Sequence, residues 1–308
     1  MRYIFGPVPS RRLGSSLGVN NIPKKHCSYN CIYCQVGRTT SLTVERKPFF
    51  EPDDIVSEVV SAVNDYQGVI DYISFVPDGE PTVDINLGKI IKGIKKQVKI
   101  KVAVITNSSL IEAASQDLME ADLVSLKIDA GTEDIYRKVN RPHPSLSLPK
   151  ILKDMEDFSK VYKGIIITET MLLDGINDGE DNLKKVSEVI KRISPQTAYI
   201  GVPVRPLAEP WVKPSKKIFE WYDYFKEVGL EIHLLNYQEE GTFGTAGFKD
   251  PAEGILKIVA VHPLREDYAR EILAQTYVDP DKTIDQLITE GKIRRVAYQN
   301  KSYLVLGK

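Results

Sequence analysis

Short runs rich in β-branched residues alternate with amphipathic helical segments from residue 15 to about residue 235. This rhythm is typical of βα units, in which helices cover a sheet of parallel strands. Six strands are predicted, at 16–20, 72–76, 101–106, 123–129, 164–172 and 198–204. The first helix is predicted over 53–66, because Ile55, Val59 and Val63 recur on one face. The rhythm alone allows either a partial barrel or a doubly wound sheet.

The pattern of predicted elements changes at Pro251, where three short helical segments precede a hairpin. The helices are predicted at 252–261, 266–276 and 282–290, and the strands at 292–298 and 303–306 around a turn at Asn300 and Lys301. Three helices followed by a hairpin look like a winged helix. We therefore expect two domains, 1–248 and 249–308.

The charge of the second domain argues against binding to duplex DNA. Residues 250–308 contain nine Lys or Arg and nine Asp or Glu, so the net charge is zero. The predicted recognition helix carries Asp281, Asp285 and Glu290, which phosphate would repel. Only the hairpin is basic. Recognition of RNA, of a peptide or protein, or a structural cap over the first domain are favoured instead.

Overall composition gives little direction to the choice of partner. The 41 Lys or Arg and 42 Asp or Glu residues nearly cancel, so no global field draws the chain to nucleic acid or to a membrane. Apolar runs such as 164–167 are far shorter than the roughly 20 residues that span a bilayer. We expect a cytoplasmic protein without a membrane partner.

Three cysteines, Cys27, Cys31 and Cys34, are the only ones in the sequence and follow the spacing CxxxCxxC. Three thiolates at this spacing can hold three corners of a [4Fe-4S] cluster and leave the fourth iron open to a small molecule. Zinc is disfavoured, because structural zinc takes four ligands and the adjacent His26 does not chelate easily with Cys27. A disulfide is also disfavoured, because disulfides need cysteines in pairs and an oxidising compartment.

The CxxxCxxC motif with Tyr33 before its last cysteine resembles the radical S-adenosylmethionine (SAM) superfamily. The strings at 5–14 and 203–210 are similar to a branch of that superfamily related to the wyosine-base synthases of tRNA. The resemblance covers nearly the whole chain. It implies an α/β fold with a partial (β/α)6 TIM-like barrel. The pattern after Pro251 adds the small C-terminal winged-helix-like domain.

The resemblance also implies the cofactors. SAM would bind the open iron of the [4Fe-4S] cluster, and an external one-electron donor, flavodoxin or ferredoxin, would reduce that cluster. Cleavage of SAM would then give methionine and a 5′-deoxyadenosyl radical, which abstracts a hydrogen atom from the substrate. Wyosine-base synthases use additional cysteines for a second cluster, and this sequence has none. The wyosine reaction itself is therefore not expected.

Polar residues that follow the predicted strands are candidates for SAM binding, because the carboxyl ends of barrel strands form the reactive face. Gly79-Glu80 resembles the superfamily motif that binds the SAM amino group, and a glycine lets the backbone approach a ligand closely. A plain Pro/Gly turn is the alternative. The predicted cofactor-binding residues are Tyr33, Gly79, Glu80, Thr82, Thr106, Asn107, Ser125 and Lys127.

Lys127, Asp129 and Arg205 are the predicted catalytic residues. Ser125, Lys127 and Asp129 are spaced by two and would share one face of a strand. Lys127 can face the SAM carboxylate or the substrate, or simply pair with Asp129. Arg205 suits a grip on phosphate or carboxylate, with a surface ion pair as the alternative. Arg11 and Arg12 have the same two alternatives. Glu169, inside the fifth predicted strand, is either a substrate contact or a residue on an outer edge with no role.

Three functions are compatible with these observations. The leading one is a radical SAM enzyme that modifies a macromolecule, an RNA nucleotide, with the second domain helping to hold the substrate. The second keeps this chemistry but directs it at a peptide or protein side chain. The third is a non-enzymatic iron–sulfur sensor with a DNA-binding winged helix.

Overall fold

An eight-stranded sheet forms the centre of the computed structural model, which describes residues 3–307. The strands, in chain order, are β1 (Ile4–Ser10), β2 (Gly14–Val19), β3 (His26–Cys27), β4 (Ser41–Leu42), β5 (Tyr72–Phe75), β6 (Lys101–Thr106), β7 (Leu123–Lys127), β8 (Ile165–Met171), β9 (Thr197–Gly201), β10 (Ile232–Leu235), β11 (Leu264–Arg265), β12 (Ile293–Tyr298) and β13 (Lys301–Leu306).

Ten helices and one 3₁₀ turn, Pro81–Val83, connect these strands within the described range. The helices are α1 (Pro52–Asp65), α2 (Leu87–Gln97), α3 (Ser115–Leu118), α4 (Glu133–Asn140), α5 (Leu148–Val161), α6 (Glu180–Ile193), α7 (Ile218–Glu227), α8 (Pro251–Val261), α9 (Glu266–Ala274) and α10 (Pro280–Thr289).

The central sheet has the order β1-β2-β5-β6-β7-β8-β9-β10. β1 is antiparallel to β2, and all other neighbours are parallel. The expected α/β partial barrel is confirmed, and the six predicted strands correspond to β2 and β5 to β9. The count of six was incomplete. β10 has only four residues, and β1 contains Pro7 and Pro9, which a sheet tolerates at its edge.

Two predicted strands extended too far at their carboxyl ends. β7 ends at Lys127 and β9 ends at Gly201. Asp129 and Arg205 therefore lie in the loops beyond the strands, and Asp129 does not continue the strand face that carries Ser125 and Lys127. Both residues are at the end of the barrel where the connecting loops gather.

Amphipathic helices cover the outer face of the sheet. In α2, Leu87, Ile90, Ile91 and Ile94 are buried while the intervening lysines face outward. α1 begins and ends within one residue of the predicted helix. Burial of such an apolar stripe, rather than helix propensity, is the main stabilising contribution to these helices.

The last part of the chain forms a separate small sheet with the strand order β11-β13-β12, packed on α8, α9 and α10. The predicted hairpin is present, but its turn lies at Gln299 and Asn300, which have φ of 47° and 60°. The two-residue strand β11 was too short to predict. The winged-helix interpretation and the boundary at 248/249 stay predictions, and residues 1, 2 and 308 of the predicted domains lie outside the described residues.

Phe5 of β1 belongs to the same apolar cluster as Ile255, Leu273 and Leu304 of this last part. The small sheet and its helices therefore pack directly on the edge of the barrel. No helix within residues 3–307 combines the length and the apolar character that crossing a membrane requires.

Candidate active site

The cysteine loop lies beyond β2 and is fixed on two sides. The amides of Asn30 and Ile32 donate to the carbonyl oxygens of Asn140 and Val139, both at 3.0 Å, at the end of α4. The amide of Ala208 donates to the carbonyl oxygen of Cys34 at 2.8 Å. The loop is therefore held by backbone contacts between α4 and the segment after β9.

Gly79 and Glu80 dock against this loop. The amide of Glu80 donates to the carbonyl oxygen of His26 at 3.0 Å. A Cβ atom on Gly79 would overlap the same carbonyl group. The close backbone approach that requires glycine here is thus an approach to the residue before Cys27.

The carboxylate of Glu80 accepts four hydrogen bonds from three other predicted cofactor-binding residues. Its Oε1 accepts from the amide of Thr82 at 3.1 Å and from the hydroxyls of Thr82 and Thr106, each at 2.6 Å. Its Oε2 accepts from the amide of Asn107 at 2.7 Å. Burial raises the pKa of Glu80, and these donors oppose the rise. Loops after β5 and β6 are joined through this one side chain.

Each cysteine sulfur has one nitrogen donor from a side chain. The distances are 3.4 Å from Lys25 Nζ to Cys34 Sγ, 3.6 Å from Asn107 Nδ2 to Cys27 Sγ and 3.6 Å from Asn140 Nδ2 to Cys31 Sγ. Lys25 and Asn140 were not predicted. Asn140 is 109 residues from Cys31 in sequence, so no local pattern marks it.

The donor set fits an iron–sulfur cluster. The three cysteines are free and partly exposed, and they lie close together: burial, then Glu80, and then the charges of Cys31 and Cys34 raise the pKa of Cys27. Burial and then the negative charge of Asp129 raise the pKa of Cys31 to about 12, so a bound cation is needed to hold it as a thiolate at neutral pH. Between residues 3 and 307, no three His, Cys, Asp or Glu side chains converge on a position for a single metal ion.

Glu169 lies on the inner face of the barrel. Along β8 it shares a face with Ile167, which belongs to the inner cluster of Leu13, Ala103 and Leu123. Glu169 pairs with Arg12 and, at 2.8 Å, with Lys127. The alternative that Glu169 lies on an outer edge is therefore wrong, and its contact with a substrate stays a prediction.

Lys127 lies close to Asp129, its predicted partner, and to the ring of Tyr33. Its Nζ is 3.7 Å from Asp129 and 5.1 Å from the centre of the Tyr33 ring. Burial lowers the pKa of Lys127, Asp129 raises it and Arg12 lowers it. The hypothesis of a Lys127–Asp129 pair is thus realised, but Glu169 is the nearer carboxylate.

Asp129 accepts hydrogen bonds from three donors other than Lys127. It accepts from the hydroxyl of Tyr33, from Asn140 Nδ2 at 2.9 Å and from the amide of Met171 at 2.8 Å. These contacts fix Tyr33 and Asn140 against the cysteine loop. Ser125 is buried in the middle of β7, in register with Ile105 and Ile167.

Arg205 is held by two side chains. It forms a two-point ion pair with Glu239 and donates through Nη1 to Oε1 of Gln35, the residue after Cys34, at 2.7 Å. Burial alone would raise the pKa of Glu239, but Arg205 and His262 lower it to about 2. Arg205 is 8% exposed, so its pair is a buried one and not the surface pair considered above.

The sequence and fold place the chain among known proteins. The family model described as the radical SAM superfamily matches residues 21–186. A UPF0026 protein of Methanocaldococcus jannaschii is 43% identical, and the alignment covers 98% of this chain and 95% of that protein.

Two solved structures show the same fold. Streptococcus suis SuiB bound to its precursor peptide SuiA superimposes with a TM-score of 0.54 and 13% identity, over 72% of this chain and 48% of SuiB. A structure of anSMEcpe with bound AdoMet gives a TM-score of 0.53 and 22% identity, over 78% of this chain and 66% of that one.

Together with the cysteine loop, the family match and the relative from Methanocaldococcus jannaschii establish the superfamily and its cofactors. The superfamily uses a [4Fe-4S] cluster and SAM, and Cys27, Cys31 and Cys34 are the residues of this chain that fit the cluster. This assignment sets aside the non-enzymatic sensor. The chain belongs to the radical SAM superfamily of enzymes.

Proposed function

We propose that this enzyme uses its radical chemistry to modify an RNA nucleotide held at the mouth of the barrel. The observation that carries the proposal is a group of four neighbouring cations at the inner face and mouth, which we call the cationic group: Arg11, Arg12, Lys127 and Arg205. Glu169 and Glu239 pair with three of them. Within residues 3–307, Arg11 forms no ion pair with a carboxylate and donates to the carbonyl oxygens of Leu235 and Tyr237.

The cationic group has an excess of positive charge, because Glu169 and Glu239 offset only two of its four charges. Burial is the main cause that lowers the pKa of Arg11 and of Arg12 to about 10 each; the charge of Arg205 contributes next for Arg11, and the charge of Arg11 contributes next for Arg12. Desolvated cations of like charge are costly unless they are paired. A phosphate group of a nucleotide would offset this cost, and guanidinium groups bind phosphate through two hydrogen bonds.

The predicted residues receive complementary roles in this proposal. The segment of Gly79, Glu80, Thr82, Thr106 and Asn107 binds the amino group and ribose of SAM beside the loop that it braces. Lys127, close to Tyr33 and Cys31, orients the SAM carboxylate, and Ser125 lines the floor beneath. Asp129 positions Tyr33. When bound, the cluster and SAM supply the one-electron cleavage that creates the radical.

Arg12 and Arg205 hold the substrate in this proposal, and the small C-terminal sheet with its helices covers the mouth. The hydroxyls of Tyr298 and Tyr303 donate to the carbonyl oxygens of Pro203 and Val204 at 3.1 Å and 3.0 Å. These contacts bring the winged-helix-like part to the loop that carries Arg205. RNA bound by that part would reach the same opening.

A peptide substrate is the second candidate, and a free strand edge favours it. Among the described residues β12 pairs only with β13, and it carries the exposed residues Arg294 and Arg295. An extended peptide can add to such an edge through main-chain hydrogen bonds. The fold is shared with SuiB, whose structure contains a precursor peptide.

The test uses anaerobically reconstituted enzyme with dithionite and SAM. 5′-Deoxyadenosine should form, and a Cys31→Ala variant should form none. Addition of total RNA should stimulate the reaction more than addition of cell peptides. RNA binding should weaken steeply with salt, whereas pairing of a peptide strand should change little.

An Arg12→Gln variant separates the substrate role from the common chemistry. We expect it to reduce RNA binding by about tenfold, which corresponds to roughly 1.4 kcal/mol, and to keep SAM cleavage without RNA. Arg192→Gln, on the outer face of α6 and paired with Glu156, is the matched control. Stimulation by peptides alone would transfer the proposal to the second candidate.

A further inference from the structure

Four side chains meet on the surface beside the cysteine loop, outside the site described above. Glu209 is 4% exposed and accepts from Arg38 Nη2 at 3.1 Å, from Arg141 Nη1 at 2.7 Å and from Trp211 Nε1 at 3.2 Å. We call Arg38, Arg141, Glu209 and Trp211 the Glu209 patch. One buried carboxylate thus fixes three large side chains in place.

The Glu209 patch is directly attached to the cluster-binding loop. The amide of Glu209 donates to the carbonyl oxygen of Ile32 at 3.3 Å, and the preceding amide of Ala208 donates to that of Cys34. The patch is therefore hydrogen-bonded to the backbone of the loop at Cys34 and at Ile32, the residue after Cys31. A protein seated here would approach the cluster from the outside of the loop.

The composition of the patch is that of a binding surface. Trp211 is 55% exposed, and the side chains of Arg38 and Arg141 are 67% and 39% exposed. Tryptophan and arginine are the residues most enriched among those that dominate binding energy at protein interfaces. Because Glu209 already orders them, they lose little conformational freedom on binding.

We infer that the Glu209 patch docks the protein that delivers the electron, an acidic carrier of the flavodoxin type. Two arginines against one glutamate give the patch a net positive charge, which complements an acidic surface and speeds association. Electron-transfer complexes have small interfaces, often below about 1,200 Å². The inference needs the enzyme class and an external electron, and it is independent of the RNA substrate.

The experiment compares two reductants on the holoenzyme under anaerobic conditions with SAM and without RNA. One is dithionite, which needs no docking site, and the other is flavodoxin kept reduced by its reductase. The variants are Trp211→Ala, Arg38→Gln and both together. Arg141 is left unchanged because it closes α4 in the left-handed conformation, with φ of 45°. Phe219→Ala and Arg294→Gln are matched controls, since both residues are exposed elsewhere.

We expect the rate of 5′-deoxyadenosine formation with dithionite to stay within twofold of the unmodified enzyme in every variant. The KM for flavodoxin should rise about tenfold in Trp211→Ala and further in the double variant. In Arg38→Gln the KM should also depend less on salt, because one charge of the encounter is lost. The controls should leave KM unchanged.

Calorimetric titration of flavodoxin into the holoenzyme gives a second measurement that does not depend on turnover. An unchanged KM and an unchanged flavodoxin affinity in the double variant would overturn the inference. So would an equal loss with both reductants, which would mean that the variants damage the loop. Loss of RNA affinity with an intact flavodoxin KM would assign the patch to the substrate instead. If the RNA proposal alone failed, the comparison of reductants could still be interpreted, because it is made without RNA.

Discussion

The carbonyl oxygen of His26 occupies the space in which a side chain on Gly79 would begin. The segment after β5 and the cysteine loop are therefore in backbone contact, strengthened by the hydrogen bond from Glu80. The position of Cys27 therefore depends on the absence of a Cβ atom at Gly79, in the loop after β5.

Gly79→Ala should consequently reduce cluster assembly. The new Cβ can be accommodated only if the backbone of the cysteine loop moves, so we expect iron and sulfide content after reconstitution to fall to less than half. Gly179→Ala is the matched control, because a Cβ there meets nothing within 4 Å. Equal iron content in both variants would show that the loop moves without cost.

Lys25 should raise the reduction potential of the cluster. The residue is 3% exposed and its Nζ lies 3.4 Å from Cys34 Sγ, and hydrogen bonds to cluster sulfurs favour the reduced state. In Lys25→Met we expect a midpoint potential lower by on the order of 50 mV, close to the 59 mV of a tenfold change for one electron. Redox titration followed by electron paramagnetic resonance measures it.

Two further variants test whether that shift in potential comes from the charge of Lys25 and from its contact with Cys34. Lys25→Gln keeps a donor without the charge and should give an intermediate potential. Lys24→Met removes a neighbouring lysine that is exposed, and its potential should equal that of the unmodified enzyme. A shift of the same size in Lys24→Met would mean that the overall field, and not the contact with Cys34, sets the potential.

The parts of this molecule that were predictable are those governed by local patterns. The βα rhythm revealed six strands, and the cysteine spacing indicated three residues that fit an iron–sulfur cluster. Periodicity could not reveal β1, since its prolines are tolerated only because it is an edge strand. Its Phe5 also joins the barrel to the C-terminal part, a contact that depends on tertiary packing.

The candidate site shows the same division. Glu80 was recognisable from its place after a strand, but the donors that surround it come from a neighbouring loop. Arg205 was expected at the mouth, and its partner Glu239 was not, because an ion pair that forms across 34 residues leaves no mark on the sequence. Long-range pairing of buried charges is decided by the fold.

Glu80→Gln should weaken both the loops and SAM binding. An amide nitrogen would have to replace one carboxylate oxygen, so at least one of the donors from Thr82, Thr106 or Asn107 would face another donor. An unsatisfied buried donor costs about 1–3 kcal/mol. We expect a comparable loss in the free energy of unfolding and at least a tenfold higher Kd for SAM by calorimetry. Unchanged SAM affinity with lowered stability would restrict Glu80 to bracing the loop.

The burial of His262 should make the packing of the C-terminal part sensitive to acid. Burial, and next the charge of Arg205, lower the pKa of His262 to about 3, so the ring 3.4 Å from Glu239 is neutral at pH 7. An unfolded histidine binds a proton below about pH 6.5. Between pH 6.5 and 3 the unfolded state therefore binds more protons, and stability falls with falling pH by up to about 1.4 kcal/mol per unit.

Replacement of this histidine isolates its contribution. In His262→Phe the free energy of unfolding, measured with urea at pH 7.5, 6.0 and 5.0, should change less with pH than in the unmodified protein. Glu239, whose pKa is lowered to about 2, contributes a separate loss that begins only below about pH 4.5. His233→Phe is the control, since the His233 side chain is 57% exposed. If His262→Phe retains the full slope between pH 6.0 and 5.0, the ring is protonated in the folded state and pairs with Glu239 as a cation.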